Sequence, residues 1–202
     1  MAQELTALQL DALKEMGNIG AGHAATGLSN MLHKKIGVSV PYCGLVDIEK
    51  VPGILGGEET PVTAVCVHVT GTFSGSLMLI FETAQALQLA SLLLGKEKTH
   101  TGAALDEKNK SALRELGNIC SSSYLLALSQ LIKVQLSGSV PALASDMLQS
   151  VLDEVLADFA ARAKKVVVLE TEFDVEKIKI RGHLIFIPDP EGLRKILKAL
   201  EV

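Results

Sequence analysis

The chain has 202 residues, with 19 Lys and Arg against 23 Asp and Glu, a formal net charge of −4 and 48% hydrophobic residues. An apolar content this high, with only 6 prolines, excludes a disordered chain. The mildly acidic balance, the absence of Trp and an aromatic content of 3% argue against nucleic acid as a partner, because neither a basic groove nor a stacking platform can be built.

In chain order, Thr6 followed by Gln9 is a capping-box pattern that starts a helix. At 100° per residue its inner stripe is Leu13, Met16, Gly20, Ala24, Gly27 and Met31. Asp11, Glu15, Asn18 and Gly22 lie on the opposite, wet side. The glycines weaken the helix, so they are expected to serve close approach, of backbone in the core or of a partner at Gly22. Residues 36–49 alternate loosely and contain Pro41, which suits an edge strand or a strand start. Residues 61–70 and 73–82 are stronger strands, with Thr70-Gly71-Thr72 as a tight turn between them. Thr83 is expected to cap a helix that Gly95 stops. Residues 96–105 are polar and read as a connector. A second long helix is expected over 107–132, with Asp106 as its cap and Leu113, Leu116, Cys120, Tyr124, Ala127 and Leu131 inward. A short strand up to Pro141 follows, then an amphipathic helix within 145–162 with apolar ridges at Met147, Leu148, Val151, Leu152, Val155 and Phe159. Strands at about 165–175 and 178–187 and a helix at 190–200 complete the chain, with Pro188 and Pro190 marking the last break.

The chain repeats itself. Residues 11–22 read DALKEMGNIGAG and residues 111–122 read SALRELGNICSS, at an offset of 100. Val40-Pro41 recurs as Val140-Pro141 at the same offset. A duplication is the simplest account. The expected domain is 1–202, one unit of two repeats at about 5–95 and 105–202 joined by a short connector. The expected fold class is α+β: two pseudo-symmetric halves share a mostly antiparallel sheet, with the two long helices side by side on one face.

No run of 18 apolar residues is present, so no transmembrane segment is expected, and the N-terminus lacks a basic region leading into an apolar stretch. Cys43, Cys66 and Cys120 form no CxxC pair, and reduced thiols acting as small apolar fillers in the cytoplasm are expected. The five histidines show no metal-ligand spacing. Ser121, Ser122 and Ser123 lack a nucleophile elbow. GNIGAG at 17–22 lies inside a helical pattern without a preceding strand, so it is no phosphate loop.

Glu15 and Asn18 share one helix face, and Glu115 and Asn118 repeat that placement. Asn is a mediocre helix former, and it stands mid-helix beside Gly in both copies. Its amide both donates and accepts, so it can hold a water in line with an electrophile. Glu can pair with a partner cation. The pair makes a water-positioning clamp and a poor self-sufficient hydrolase. Asp11 adds charge one turn earlier and Ser111 does not, so the two sites are expected to differ.

The full motif is Asp or Ser, three residues, Glu, two residues, Asn, twenty-two residues, Pro: Asp11, Glu15, Asn18, Pro41 and Ser111, Glu115, Asn118, Pro141. It resembles the CheC/CheX/FliY family of bacterial and archaeal chemotaxis phosphatases. Size and two intact copies bring it closest to the CheC branch. The resemblance implies hydrolysis of the phosphoaspartate of the response regulator CheY. It implies that Asn18 and Asn118 orient the attacking water and that Glu15 and Glu115 engage a lysine of the regulator. It implies Mg²⁺ held mainly by the phosphorylated CheY substrate, with no metal or cofactor bound by this chain. CheD, a receptor-modifying deamidase, is an implied partner, with the helix within 145–162 as the candidate contact. The alternative is a non-catalytic binding module that sequesters CheD or docks in a chemotaxis or flagellar complex.

Overall fold

A computed structural model describes residues 6–95, 105–157 and 165–200. Helix α1 spans Ala7–Leu32 and helix α4 spans Glu107–Ile132, 26 residues each. The capping box of α1 is formed: the Thr6 hydroxyl accepts from the Gln9 N–H at 3.3 Å, and the Thr6 N–H donates to Gln9 Oε1 at 3.0 Å. Asp106 starts α4 by accepting from the Asn109 N–H at 2.7 Å. Both helices end on a left-handed residue, His33 and Lys133, with φ of 52° and 55°.

Between and after them lie β1 (Ile36–Asp47), α2 (Val51–Ile54), β2 (Pro61–Gly71), β3 (Gly75–Glu82) and α3 (Thr83–Leu93). After α4 come β4 (Leu136–Gly138), β5 (Ala142–Met147), α5 (Leu148–Ala157), β6 (Lys165–Val175), β7 (Ile178–Pro188) and α6 (Pro190–Ala199). The seven strands form one sheet in the order β1-β6-β7-β3-β2-β4, with β5 also on β2, and all these neighbours pair antiparallel. The fold is therefore α+β. Each hairpin takes its outer neighbour from the other half of the chain: β1 lies on β6, while β4 and β5 lie on β2.

Alternation along the strands gives the sheet two apolar faces. One carries Val65, Leu79, Leu169, Phe173 and Leu184, and packs against α1, α3, α4 and α6. The other carries Ala64, Met78, Ile80, Val168 and Ile185, and packs against α2 and α5. The helices α1 and α4 pack against each other within the first core. Gly20 makes that possible, because a Cβ there would meet the ring and backbone of Tyr124. Gly17 and Gly117 bring the helices onto the sheet: a Cβ would meet Leu169 and Val40 at the first, and Val65 at the second.

Several boundaries differ from the sequence expectation. Strand β2 continues through Gly71 and the turn falls at 72–74. Pairing of Gly71 with Leu136 extends the strand, and the Thr72 N–H donates to Gln135 O at 2.9 Å. Thr83 is the first helical residue rather than the cap, and its hydroxyl meets Thr63 Oγ1 at 3.4 Å. Residues 145–147 pair with β2 instead of opening a helix, so Met147 is exposed on a strand while Leu148, Val151 and Leu152 are buried under α5. Residues 48 and 49, expected to end the first strand, open a 3-10 turn over 48–50 that leads into α2. Gly95 follows α3 in the left-handed region at φ 69°, while 96–104 and Phe159 lie outside the described residues. In α1 the last buried position is Leu28, with Met31 exposed; in α4 it is Ile132, with Leu131 half-buried beside it. A stripe spaced at 3.5 residues drifts by about 20° per heptad on a 3.6-residue helix, so the inward position moves over two heptads.

His183 is half-buried on the second face of the sheet, beside Glu170 and Ile80 in register. Burial lowers its pKa from 6.5, only partly opposed by Glu170 and Glu82. The unfolded chain therefore binds more protons here between its own pKa and the lower folded one. The contribution of His183 to stability is present above pH about 6.5 and is lost as pH falls through the folded value. Denaturant midpoints measured from pH 7 downward should fall, and His183→Gln should flatten that fall. An equal slope in both proteins would refute the assignment.

Candidate functional site

Asp11, Glu15 and Asn18 are all exposed along the outer face of α1, and Ser111, Glu115 and Asn118 are exposed along the outer face of α4. The buried residues between them, Leu13, Met16 and Gly17 in one helix and Leu113, Leu116 and Gly117 in the other, hold the opposite faces on the sheet. The four Glu and Asn side chains thus stand on two helices in direct contact, open to a partner. Gly22 is exposed and a Cβ there would meet nothing within 4 Å, so packing does not require it.

The two copies differ in their surroundings. Asn18 Oδ1 accepts from the main-chain N–H of Val40 at 3.2 Å, immediately before Pro41. Asn118 makes no such bond among the described residues, and Val140 is 88% exposed. Pro41 is exposed within β1, whereas Pro141 is half-buried in the break between β4 and β5. Ser111 and Glu115 also border a hollow of about 320 Å³, shared with Met31, Leu93, Leu94 and Lys108. Met31 and Leu94 are each 39% exposed there, so the second motif sits beside an apolar surface.

Burial pushes the thiols of Cys43 and Cys120 up to about 12 and that of Cys66 up to about 11, so all three are protonated at neutral pH and poor nucleophiles. Among the described residues, no group of three or more His, Cys, Asp or Glu side chains is placed to hold a metal ion. No helix among them is long and apolar enough to cross a membrane.

The model of the CheC-like family matches residues 8–42, the segment that holds the first motif. The model of the chemotaxis phosphatase CheX matches residues 63–163, which hold the second. The CheY-P phosphatase CheC of Bacillus subtilis (strain 168) is 34% identical over 195 residues, covering 95% of this chain and 93% of that protein. The chain belongs to the CheC/CheX/FliY family. The solved structure of FliY from Thermotoga maritima covers 98% of each chain with a TM-score of 0.76 and 23% identity. The FliM middle domain from Vibro alginolyticus covers 92% of this CheC-like chain and 99% of its own, with a TM-score of 0.66 and 18% identity. At such identities the likeness carries the fold alone. In this family member the exposed Glu and Asn pairs were legible from helical spacing. The Val40 N–H was not, because a main-chain donor leaves no mark in residue identity; its only signal was the proline that follows it.

Proposed function

We propose that this chain hydrolyses the phosphoaspartate of phosphorylated CheY, using Asn18 and Asn118 to place the attacking water. The observation that carries the reading is the pair of exposed Glu/Asn faces on the contacting helices α1 and α4. The CheY-P phosphatase name of the Bacillus subtilis relative supports it. Water attacks phosphorus, the bond from phosphorus to the aspartyl oxygen breaks, and aspartate and inorganic phosphate are released. Each Asn amide holds the water by donating, accepting or both. Glu15 and Glu115 pair with a lysine of the regulator and fix its approach. Mg²⁺ on the regulator neutralises charge that develops on the phosphoryl oxygens. The chain supplies half a site and the substrate protein supplies the rest.

The halves are read as two repeats of one unit in a single domain. Equal helix lengths, matching caps and the crossed strand order all support that reading. CheD is a proposed second partner at α5. The apolar ridge of that helix is buried in the core, so a contact there would use Ser150, Asp153 and Glu154, which are exposed.

The direct test mixes the purified chain with phosphorylated CheY and Mg²⁺ and follows phosphate release. Faster release than from the regulator alone is expected, with weaker binding as salt rises because the Glu-to-Lys contact is screened. Release at the intrinsic rate at every concentration of the chain would reject the reading.

A further inference from the structure

We infer that Pro41 is a positioning residue that acts on Asn18 through a β-bulge. This rests on the reading of Asn18 as the water-holding side chain. The β1–β6 ladder runs from Ile36↔Val175 to Ser39↔Glu172 and resumes at Tyr42↔Glu170. Val40 and Pro41 together therefore face Thr171 alone, two residues against one. Proline has no N–H to give to the ladder, so the strand bulges where it stands. The bulge frees the Val40 N–H, which turns to Asn18 Oδ1 at 3.2 Å. The Val40 side chain stays 2% exposed, and Gly17 lets α1 come close enough for the bond.

The geometry fixes the orientation of the amide. A main-chain N–H only donates, so the Asn18 atom that faces it is the carbonyl oxygen, and the Nδ2 hydrogens point away. One lone pair of Oδ1 also remains available. In the first copy the spacing from Asn18 to Pro41 follows the path of the chain. From Asn18 the helix climbs 14 residues to Leu32, roughly 21 Å at 1.5 Å each. The chain then turns over 33–35 and returns along β1 from Ile36, which brings Val40 back beside Asn18.

The second copy lacks the device. There the strand is interrupted between Gly138 and Ala142. Ser139 takes the ladder position instead: its N–H donates to His68 O at 2.9 Å and its hydroxyl accepts from the His68 N–H at 3.0 Å. Val140 is left outside, and no described residue holds Asn118. The same motif thus builds one anchored amide and one unanchored amide.

The test reads amide hydrogen exchange at Val40 and Val140 in the full chain, together with turnover in an Asn118→Ala background where only the first motif is intact. Asn18→Ala and Pro41→Val should each speed Val40 exchange roughly tenfold, the loss expected for one hydrogen bond. Asn18→Asp keeps an acceptor and should preserve Val40 protection while lowering turnover. Asn118→Ala should leave Val140 exchange unchanged. In the Asn118→Ala background, Pro41→Val should lower kcat several-fold with KM unaltered. Unchanged Val40 exchange in both Asn18→Ala and Pro41→Val overturns the inference, whatever the rate does. Faster Val40 exchange with an unaltered kcat in Pro41→Val overturns Pro41 as a positioning residue, whereas an unaltered kcat in Asn18→Ala overturns the proposed role of Asn18.

Discussion

Asn18→Ala combined with Asn118→Ala is expected to reduce CheY-P hydrolysis to nearly the intrinsic rate of the regulator. Ala keeps the helix and removes only the amide proposed to hold water. Losing one such transition-state hydrogen bond costs on the order of 10²-fold at its own site. Each single variant should lose less of the total rate, because the other motif still turns over. Both side chains are exposed, and Ala is the better helix former, so little stability should be lost. Asn18→Ala also leaves the part-buried Val40 N–H without its acceptor, a cost of about 1 kcal/mol. The measurement is phosphate release from purified phosphorylated CheY, with circular dichroism on each variant. A folded double variant with full activity would end the water-positioning mechanism. Glu15→Ala and Glu115→Ala should instead weaken binding and rate together, as docking residues do.

A chain cut to residues 1–100 is expected not to fold. In the intact sheet β1 pairs with β6, and β3 takes β7 as its second neighbour, so the first half alone keeps only the β2–β3 hairpin. A lone hairpin is marginal in water. Helix α1 would also lose α4, including the fit of Tyr124 against Gly20, and would expose Leu13, Ala24 and Leu28. The half-chain should show no cooperative thermal transition, and adding residues 101–202 should restore one. A cooperative transition in either half alone would mean that the repeats are separate domains. Exchange of the outer strand makes each half of the chain depend on the other.

Local and periodic features were legible in the residues themselves. The capping box of Thr6 and Gln9, the cap at Asp106, the span of α4 and the outward set Glu15, Asn18, Glu115 and Asn118 all follow from short-range rules. The 100-residue offset places the two motifs at the same distance from the start of two helices of 26 residues. Three things needed the tertiary structure. Strand order was one, because pairing β1 with β6 joins residues more than a hundred positions apart, and alternation within a strand says nothing about which strand lies beside it. The extent of β2 and the strand at 142–147 were another, since edge pairing overrode the helical pattern that begins at Met147. The third was the different anchoring of the two amides. Asn18 and Asn118 sit in the same local sequence, yet among the described residues Asn18 meets a main-chain N–H and Asn118 does not. That difference is set by how the following strand joins the sheet: β1 bulges at Val40-Pro41, whereas its counterpart breaks at Ser139 and throws Val140 into solvent.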